Sequence, residues 1–257
     1  MATPLILSDV VDRVAVLTLN HPEKRNPLSR EMLASLKERL DRIAADQDVR
    51  AVIIRAEGPA FSAGHDLREL VGGREQQYAS LFSICTDVME TIRKLPKPVI
   101  AQVQGIATAA GCQLVATCDL VVASENASFA TPGVKIGLFC TTPGVALARA
   151  VAPRKAMEML LTGTPISAAE AERVGLVNRV VPPDRLADET LALARQIAAA
   201  SPHTLALGKR AFYEQLPLDR PEAYALAQRV MVDNAQIPDA QEGMRAFLEK
   251  RAPKWQS

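Results

Sequence analysis

The residues between Gly105 and Leu114 have the composition of a turn that exposes backbone rather than side chains. The apolar run Val99–Val103 before them predicts a strand, and the pattern Gly111–Ala116 predicts a helix that begins inside the turn. The first N–H groups of a helix have no partner within the helix. Because Gly, Ala and Thr dominate the turn, those groups would be open to bind a phosphate or to stabilise an oxyanion.

A second turn of the same kind lies earlier in the chain, at Ala60–Leu67. It follows a predicted strand and leads toward a helical pattern, with Ala63, Gly64 and His65 at its centre. Two such N–H groups that converge on one oxygen would form an oxyanion hole, which suits a thioester carbonyl that gains negative charge. The alternative is that both segments are tight turns packed under helices.

Composition limits the classes of partner. The 257 residues carry a net charge of +1, with 48% hydrophobic residues and 4% aromatic residues. Such a chain has no overall field that attracts nucleic acid, and Lys37, Arg39 and Arg42 alternate with acidic residues on one predicted helix. A nucleic-acid partner is therefore not expected.

No apolar run in the sequence is long enough to span a membrane as a helix, so no membrane association is expected. The first residues, from Met1 to Leu7, lack the basic flank and long apolar segment of a signal or transit peptide. We expect a cytoplasmic protein, or a mitochondrial matrix protein if a transit peptide was removed.

The four cysteines form no CxxC pair, and Cys85, Cys112 and Cys118 lie in apolar runs. The pattern predicts reduced, buried thiols, and the three histidines show no spacing typical of metal ligands. Cys140 lies in a predicted loop over residues 137–144, where it could be a nucleophile or a base, or simply a packed thiol.

Two further polar residues stand in the Ala60–Leu67 turn. The imidazole of His65 has a pKa range suited to proton transfer, although the backbone of this residue is its more useful group in the turn. Asp66 is expected to cap the helical segment that follows it. The polar region 68–77, which contains Gly72-Gly73, is a candidate mobile lid.

Strands and helices alternate up to about residue 182, and only helices follow. This order predicts an α/β core with parallel strands over residues 1–182 and a helical region over residues 183–257. The predicted strands are Leu5–Leu7, Val14–Leu19, Val49–Arg55, Val99–Val103, Asp119–Ala123, Ala127–Ala130 and Val177–Val181. The longer predicted helices end near Ala45, Leu95, Val151, Leu161, Ala200, Gln215, Ile237 and Arg251.

Several motifs along nearly the whole chain resemble, in their order, those of the enoyl-CoA hydratase/isomerase (crotonase) superfamily. Phe61–Leu67 resembles the first oxyanion-hole motif of that family, and Lys97–Gly105 with Ala109–Cys112 resembles the second. Further similar segments are Cys118-Asp119-Leu120, Thr162-Gly163, Ala169-Glu170-Ala171, Gly175-Leu176-Val177 and Glu242–Phe247.

The resemblance implies a spiral of ββα turns with a helical C-terminal region for trimerisation, assembled as a homotrimer or a dimer of trimers. It implies a CoA thioester as substrate or ligand and no permanently bound cofactor. The oxyanion donors would be the N–H groups of His65 and Ala110, and the backbone of Ala63 and Gly64 would line the adenine and pantetheine.

The resemblance also implies charged and aromatic contacts to CoA. Lys24 and Arg25 lie where family members place basic contacts to the phosphates. Asp66 is counted with these two residues in the CoA-binding set. Phe247 and Lys250 match an aromatic residue and a lysine that reach the CoA of a neighbouring subunit. For Lys24, Arg25 and Lys250 the alternative is ordinary solvated charge.

The family pattern fails at two positions. A hydratase of the family uses two glutamates. One lies three residues after the second oxyanion donor, and the other directly follows the proline that corresponds to Pro132. Gln113 and Gly133 stand at these positions. An amide can orient water but cannot act as a base, and glycine offers only backbone. We expect weak hydration or none.

Two functions therefore remain open. The chain is either an acyl-CoA enzyme that stabilises a thioester enolate without the two glutamates, or a CoA-thioester binder or scaffold without catalytic activity.

Overall fold

The computed structural model describes residues 3–256 and contains ten strands and ten α-helices in this range. The strands are β1 Ile6–Val11, β2 Val14–Leu19, β3 Ala51–Ala56, β4 Ala60–Ser62, β5 Val99–Val103, β6 Ile106–Thr108, β7 Leu120–Ser124, β8 Ser128–Ala130, β9 Ile166–Ser167 and β10 Arg179–Val181. The helices are α1 Arg30–Ala45, α2 Glu75–Lys94, α3 Ala110–Thr117, α4 Thr141–Ala150, α5 Pro153–Thr162, α6 Ala168–Arg173, α7 Leu186–Ala198, α8 Pro202–Gln215, α9 Arg220–Gln236 and α10 Pro238–Leu248.

The strands form two sheets. The larger sheet has the order β1-β2-β3-β5-β7-β10, in which only β1 and β2 are antiparallel. The smaller sheet has the order β4-β6-β8-β9, in which only β8 and β9 are antiparallel. Strands β1 and β2 form a hairpin that turns at Asp12 and Arg13, which both have positive φ.

One unit repeats three times along the chain. A strand of the larger sheet is followed by a short strand of the smaller sheet and then by a helix, as β3-β4-α2, β5-β6-α3 and β7-β8-α4. Parallel neighbours require such long returning connections, which the helices supply. The repeated order is the predicted spiral of ββα turns, and it places the start of α3 beside the smaller sheet.

Both faces of the larger sheet are buried at its centre. Ala15, Leu17 and Leu19 of β2 belong to the main core with α1 and α2, whereas Val14 and Val16 face a second core that α7 covers. Alternate residues of a strand point to opposite faces, so both sets must be apolar. The predicted boundary at residue 182 stays a prediction, although α7 packs directly against the sheet.

Helix α8 is attached to the core by buried polar contacts. Lys209 Nζ lies 2.7 Å from Asp119 Oδ2 and also donates to the carbonyl oxygens of Ile92 and Lys97. The hydroxyl of Tyr213 donates to Asp119 Oδ1 at 2.7 Å. These contacts fix the C-terminal helices to the segment that follows α3.

The predicted loop over residues 137–144 is wrong in its second half, because α4 begins at Thr141. Pro143 and Gly144 suggested a break, but a proline in the first turn of a helix removes an N–H that has no helical partner. Gly144 serves packing, since a Cβ there would lie 3.2 Å from Leu160 Cδ1 of α5. Cys140 is consequently the residue before a helix rather than the middle of a loop.

The region 68–77 also contains more regular structure than predicted. Leu67–Glu69 forms a single 3-10 turn, and α2 begins at Glu75. Within the range that the structure describes, no helix combines the length and hydropathy needed to cross a membrane.

Candidate functional site

A cavity of about 490 Å³ lies where the starts of α3 and α4 face the turn after β4. Five of the residues singled out in the sequence line it: Ala63, His65, Ala110, Gly133 and Cys140. Apolar side chains supply most of the remaining wall. The tertiary structure therefore brings together the two turns and Gly133, which are far apart in the chain.

The turn before α3 has a strained backbone. Ala109 adopts a φ of 49° and a ψ of −118°, a region that L-residues rarely occupy. The Ala109 N–H donates to the carbonyl oxygen of Ala130 at 2.9 Å. No side chain caps α3, because alanine has no acceptor. The helix thus begins at Ala110 beside the cavity, with its positive dipole end directed there.

The two turns touch each other through their backbones. Gly64 has φ +87°, and a Cβ at this position would lie 2.9 Å from Ala109 Cβ and 3.3 Å from the Ala110 nitrogen. Thr108 Oγ1 also donates to the carbonyl oxygen of Ala63 at 3.1 Å. Only glycine permits this approach, so position 64 sets the spacing between the two predicted N–H donors.

The imidazole of His65 connects the turn at residues 63–65 to the loop that contains Leu28. His65 Nδ1 lies 3.0 Å from the Leu28 carbonyl oxygen, which accepts only if Nδ1 carries the proton. The Leu28 N–H donates in turn to the Gly64 carbonyl oxygen at 2.8 Å. His65 Nε2 is left as a buried acceptor without a hydrogen-bond partner in the described part of the chain.

Burial lowers the pKa of His65, and the Leu28 hydrogen bond and the charge of Glu69 oppose this effect only in part. The ring also packs edge-on against Phe82, with 5.6 Å between the centroids. The side chain is therefore held neutral, and its role in this geometry is to fix the turn.

Asn26 organises the loop that holds His65. It is fully buried with φ 52°, its side chain donates to the carbonyl oxygens of Glu57 and Ala60, and it accepts from the His21 N–H. An asparagine tolerates this left-handed backbone better than most residues. The loop is consequently a rigid support for the turn at residues 63–65.

Gly133 occupies a closed position. A Cβ at residue 133 would lie 2.0 Å from the Leu138 carbonyl oxygen and 2.8 Å from Cys140 Sγ. The Leu138 N–H also donates to the Gly133 carbonyl oxygen at 3.0 Å. The segment between Gly133 and Cys140 thus fills the space that any side chain at residue 133 would need.

Cys140 is buried, and its Sγ accepts a hydrogen bond from the Gly133 N–H at 3.3 Å. Burial raises the pKa of the Cys140 thiol, and the Gly133 hydrogen bond only partly offsets this effect. The thiol is therefore protonated near neutral pH and acts here as a packing and hydrogen-bonding group.

Gln113 does not line this cavity. It lies on α3 with 5% of its surface exposed, and it faces a separate cavity of about 210 Å³ between α2, α3 and α4. Its Oε1 is buried without a hydrogen-bond partner among residues 3–256. Thr142 lines both cavities, so the two spaces adjoin at the start of α4.

Asp66 caps the 3-10 turn, as its sequence position predicted. Its carboxylate accepts from the Arg68 N–H at 3.0 Å and from the Arg68 guanidinium at 2.9 and 2.7 Å. These hydrogen bonds are the main cause of the lowered pKa of Asp66, and the charge of Lys24 adds to it. Asp66 lies next to the cavity-lining His65 but is not itself part of the wall.

The remaining predicted contacts are exposed and lie outside the cavity wall. Lys24 ends the 3-10 turn Pro22–Lys24 and Arg25 follows it, and neither side chain forms a salt bridge within the described residues. Phe247 is 83% exposed near the end of α10, and Lys250 follows it with a positive φ.

The sequence did not identify the apolar part of the wall. Phe82 has the helical spacing of the buried residues of α2, such as Cys85 and Met89, yet it faces the cavity. Ile136, Leu138 and Phe139 also line it, and a run of large apolar residues close to two glycines was the available signal. Among the described residues, no group of three or more His, Cys, Asp and Glu is placed to hold a metal ion.

The family model described as enoyl-CoA hydratase/isomerase matches residues 10–257 of this chain. The Rattus norvegicus protein named enoyl-CoA hydratase domain-containing protein 3, mitochondrial, is 51% identical over 245 residues, which are 95% of this chain and 82% of that protein.

Two crystal structures resemble the fold. An enoyl-CoA hydratase of Mycobacterium smegmatis is 51% identical with a TM-score of 0.96, over 99% of this chain and 100% of that one. Human enoyl-CoA hydratase domain-containing protein 3 is 52% identical with a TM-score of 0.95, over 98% of this chain and 100% of that one.

Proposed function

The chain belongs to the enoyl-CoA hydratase/isomerase family, as its motifs predicted, and from this premise we propose that it binds a CoA thioester in the 490 Å³ cavity. The N–H groups of His65 and Ala110 hold the thioester carbonyl oxygen. The observation that supports this assignment is the contact between the two turns, in which a Cβ on Gly64 would lie only 3.3 Å from the Ala110 nitrogen.

These donors stabilise negative charge that develops on the thioester oxygen as an enolate forms. Backbone N–H groups held by a rigid turn need no reorganisation when the charge appears, and the α3 dipole adds to their effect. The clamp between His65 and Leu28 keeps one donor in place. The chain needs no permanently bound cofactor for this step.

Hydration is proposed to be slow or absent. Gln113 cannot act as a base and lies outside the cavity, and Gly133 has no space for a side chain. General acid–base catalysis typically contributes about 10²–10⁴-fold, so its loss would leave an oxyanion site with little hydratase activity. The second candidate, a CoA-thioester binder or scaffold without catalysis, is supported by the same two positions.

The rest of the ligand is proposed to follow the family pattern. The backbone of Ala63 and Gly64 lines the adenine and pantetheine, and Lys24 and Arg25, with Asp66 nearby, meet the phosphates. Phe247 and Lys250 reach the CoA of a neighbouring subunit in a homotrimer or a dimer of trimers. Phe247 is 83% exposed and Leu248 is 80% exposed, and large exposed apolar side chains of this kind support a covering partner.

The compartment is proposed from the relatives. The Rattus norvegicus relative is named as mitochondrial, which supports the mitochondrial matrix as the compartment of this chain.

The oxyanion contact is tested with Ala110→Pro, which deletes the N–H while proline remains acceptable at the first position of a helix. Calorimetry compares acetyl-CoA with the ethyl thioether of CoA, which lacks the carbonyl oxygen. We expect the parent to prefer the thioester about tenfold, as one or two hydrogen bonds would give. Ala110→Pro should reduce this preference, because only the His65 N–H would remain, and Ala110→Ser, which keeps the N–H, should retain it.

Urea unfolding checks that each variant is folded. If the folded Ala110→Pro variant kept the thioester preference, the donor assignment would be wrong, and if the parent bound no CoA thioester the proposal would fail as a whole. Loss of the enoyl absorbance of crotonyl-CoA measures hydration, and rapid hydration would contradict the roles of Gln113 and Gly133.

A further inference from the structure

The smaller cavity, which Gln113 faces, has a cationic wall. It has a volume of about 210 Å³ and lies between α2, α3 and α4. Arg93 of α2 and Arg149 of α4 both line it. Glu90 is the one acidic residue among the described residues of the wall, and its Oε2 lies 3.1 Å from Lys94 Nζ. The wall therefore carries more positive than negative charge.

The guanidinium of Arg93 is held in place without an acceptor for its N–H groups. Its central carbon lies 3.5 Å from the centre of the Tyr213 ring, and the Tyr213 hydroxyl is fixed by its hydrogen bond to Asp119 at 2.7 Å. Within residues 3–256, Arg93 forms neither a salt bridge nor a side-chain hydrogen bond. A guanidinium that stacks on an aromatic ring keeps the N–H groups at its edge free for an oxyanion.

Arg149 and Gln113 also have unused hydrogen-bonding capacity. Arg149 Nη1 donates to the carbonyl oxygen of Val145 at 2.8 Å, and Arg149 has no salt bridge in the described part of the chain. Gln113 is 5% exposed, and its buried Oε1 lacks a partner there as well. Rotation about the last torsion of Gln113 exchanges Oε1 and Nε2, so this side chain can also donate to an anion.

We propose that this smaller cavity binds an oxyanion, a carboxylate or a phosphate, between Arg93 and Arg149, with the Gln113 amide as a third contact. A guanidinium matches the geometry of both anions through parallel N–H donors, and such charge-assisted hydrogen bonds are stronger than neutral ones. A bound anion would also supply a partner for the buried amide, which is costly to leave unpaired. The contacts proposed for the thioester oxygen use neither arginine, so the two proposals fail independently.

The anion is either a free molecule or the far end of the acyl group. Thr142 lines both cavities. Gln113 follows Ala110 by three residues on α3, which is about 4.5 Å along a helix axis. If Ala110 holds the thioester oxygen, a carboxylate a few carbons along the acyl chain can therefore reach the smaller cavity. This second source rests on the proposed function, whereas the first does not.

Calorimetry with inorganic phosphate at low ionic strength tests the site itself. We expect the parent to bind phosphate, and Arg93→Gln and Arg149→Gln each to weaken this binding at least tenfold, because each removes charge-assisted hydrogen bonds. Arg154→Gln is the matched control, since Arg154 is an exposed arginine of α5 outside the cavity wall. It should leave the phosphate affinity unchanged.

Gln113→Glu tests the third contact with a side chain of nearly the same size. Its carboxylate would face the two arginines and take the place of the anion, so phosphate binding should be lost. Urea unfolding checks that this variant and the arginine variants are folded. Phosphate binding that survives unchanged in a folded Gln113→Glu variant would exclude Gln113 from the site.

Two saturated thioesters of equal chain length distinguish the sources of the anion. If the anion is the end of the acyl group, adipyl-CoA should bind at least tenfold more tightly than hexanoyl-CoA, and Arg93→Gln should remove this preference. Equal affinities for the two thioesters, with phosphate binding intact, would assign the site to a free anion.

Three results would overturn the inference. The parent could bind no phosphate and show no preference for adipyl-CoA. Phosphate could bind equally well to the parent and to both arginine variants, which would place the anion elsewhere. A lowered sedimentation coefficient of Arg149→Gln, with no phosphate binding by the parent, would assign the arginines to a contact with a second copy of the chain.

Discussion

At residue 133 the fold has no room for a side chain of any kind. The Leu138 carbonyl oxygen stands 2.0 Å from the ideal Cβ position, and backbone atoms cannot rotate away as the end of a flexible side chain can. Any side chain at residue 133 would therefore collide with the backbone. The segment between Gly133 and Cys140 fills the space that such a side chain would need.

Gly133→Glu is consequently expected not to create hydratase activity and to destabilise the protein by about 1–3 kcal/mol, the usual cost of overpacking. Hydration of crotonyl-CoA and the free energy of unfolding in urea are the measurements. Gly208→Glu on α8 is the matched control, because no atom lies within 4 Å of its Cβ position, and it should be close to neutral. A stable Gly133→Glu variant with rapid hydration would contradict the closed geometry.

The neutral imidazole of His65 makes stability depend on pH in a defined direction. Burial lowers the pKa of His65 in the folded chain, so the unfolded chain binds its proton at a higher pH. The stability contribution of the neutral ring is complete above the unfolded pKa of about 6.5 and is lost as the pH falls below that value toward the folded pKa.

We expect the parent to lose more free energy of unfolding between pH 7.5 and pH 5.5 than His65→Gln, which has no titrating ring. Urea unfolding at several pH values measures the difference. A His65→Gln variant with the same pH dependence as the parent would show that burial does not favour the neutral ring.

At the level of the elements, the site depends on two strand-to-helix turns that meet at Gly64. The sequence predicted both turns, because small residues between an apolar run and a helical pattern are a local signal. It could not predict that the two turns touch, since that contact joins distant parts of the chain and depends on the pairing of β4 with β6.

Gly64→Ala is expected to destabilise the protein by about 2 kcal/mol or more and to weaken acetyl-CoA binding, since overpacking adds to the cost of a positive φ. The new methyl group would lie 2.9 Å from Ala109 Cβ and 3.0 Å from the Thr108 carbonyl oxygen. Gly72→Ala is the matched control, because Gly72 also has a positive φ but nothing lies within 4 Å of its Cβ position.

Gly72→Ala should lower the free energy of unfolding by only about 1 kcal/mol, because only the backbone conformation contributes. Its affinity for acetyl-CoA should be unchanged. Urea unfolding and calorimetry measure both quantities. If the two alanine variants were equally stable and bound acetyl-CoA equally well, the contact between the turns would not be what positions the donors.

At the level of the whole molecule, a buried ion pair connects the C-terminal helices to the spiral core. Asp119 accepts from Lys209, from Tyr213 and from the Val99 N–H at 2.7 Å, and the Arg93 guanidinium lies 3.5 Å from the centre of the Tyr213 ring. Burial lowers the pKa of Lys209, and Asp119 opposes this effect. Removing either charge would leave the other buried without its partner.

Lys209→Met is therefore expected to lower the free energy of unfolding by about 3–5 kcal/mol, as the loss of one partner of a buried ion pair typically does. Lys37→Met removes an exposed pair with Asp41 on α1, and it should cost less than about 0.5 kcal/mol. Free energies of unfolding in urea compare the two. Equal effects would mean that the Asp119 pair contributes no more than a surface pair.

The sequence by itself determined the local structure and the family. Apolar periodicity, capping residues and small-residue turns predicted most strands and helices, because each depends on residues close together in the chain. The family motifs predicted the spiral. The same local information misplaced the start of α4, since Pro143 marks a break only when it lies beyond the first helical turn.

Only the tertiary structure decided how these pieces make a site. It placed His65, Ala110, Gly133 and Cys140 around one cavity and turned Gln113 toward another. It also showed that Phe82 faces the cavity although its spacing is that of a core residue. The physical reason is that side-chain direction and excluded space depend on contacts between distant segments, which no local pattern encodes.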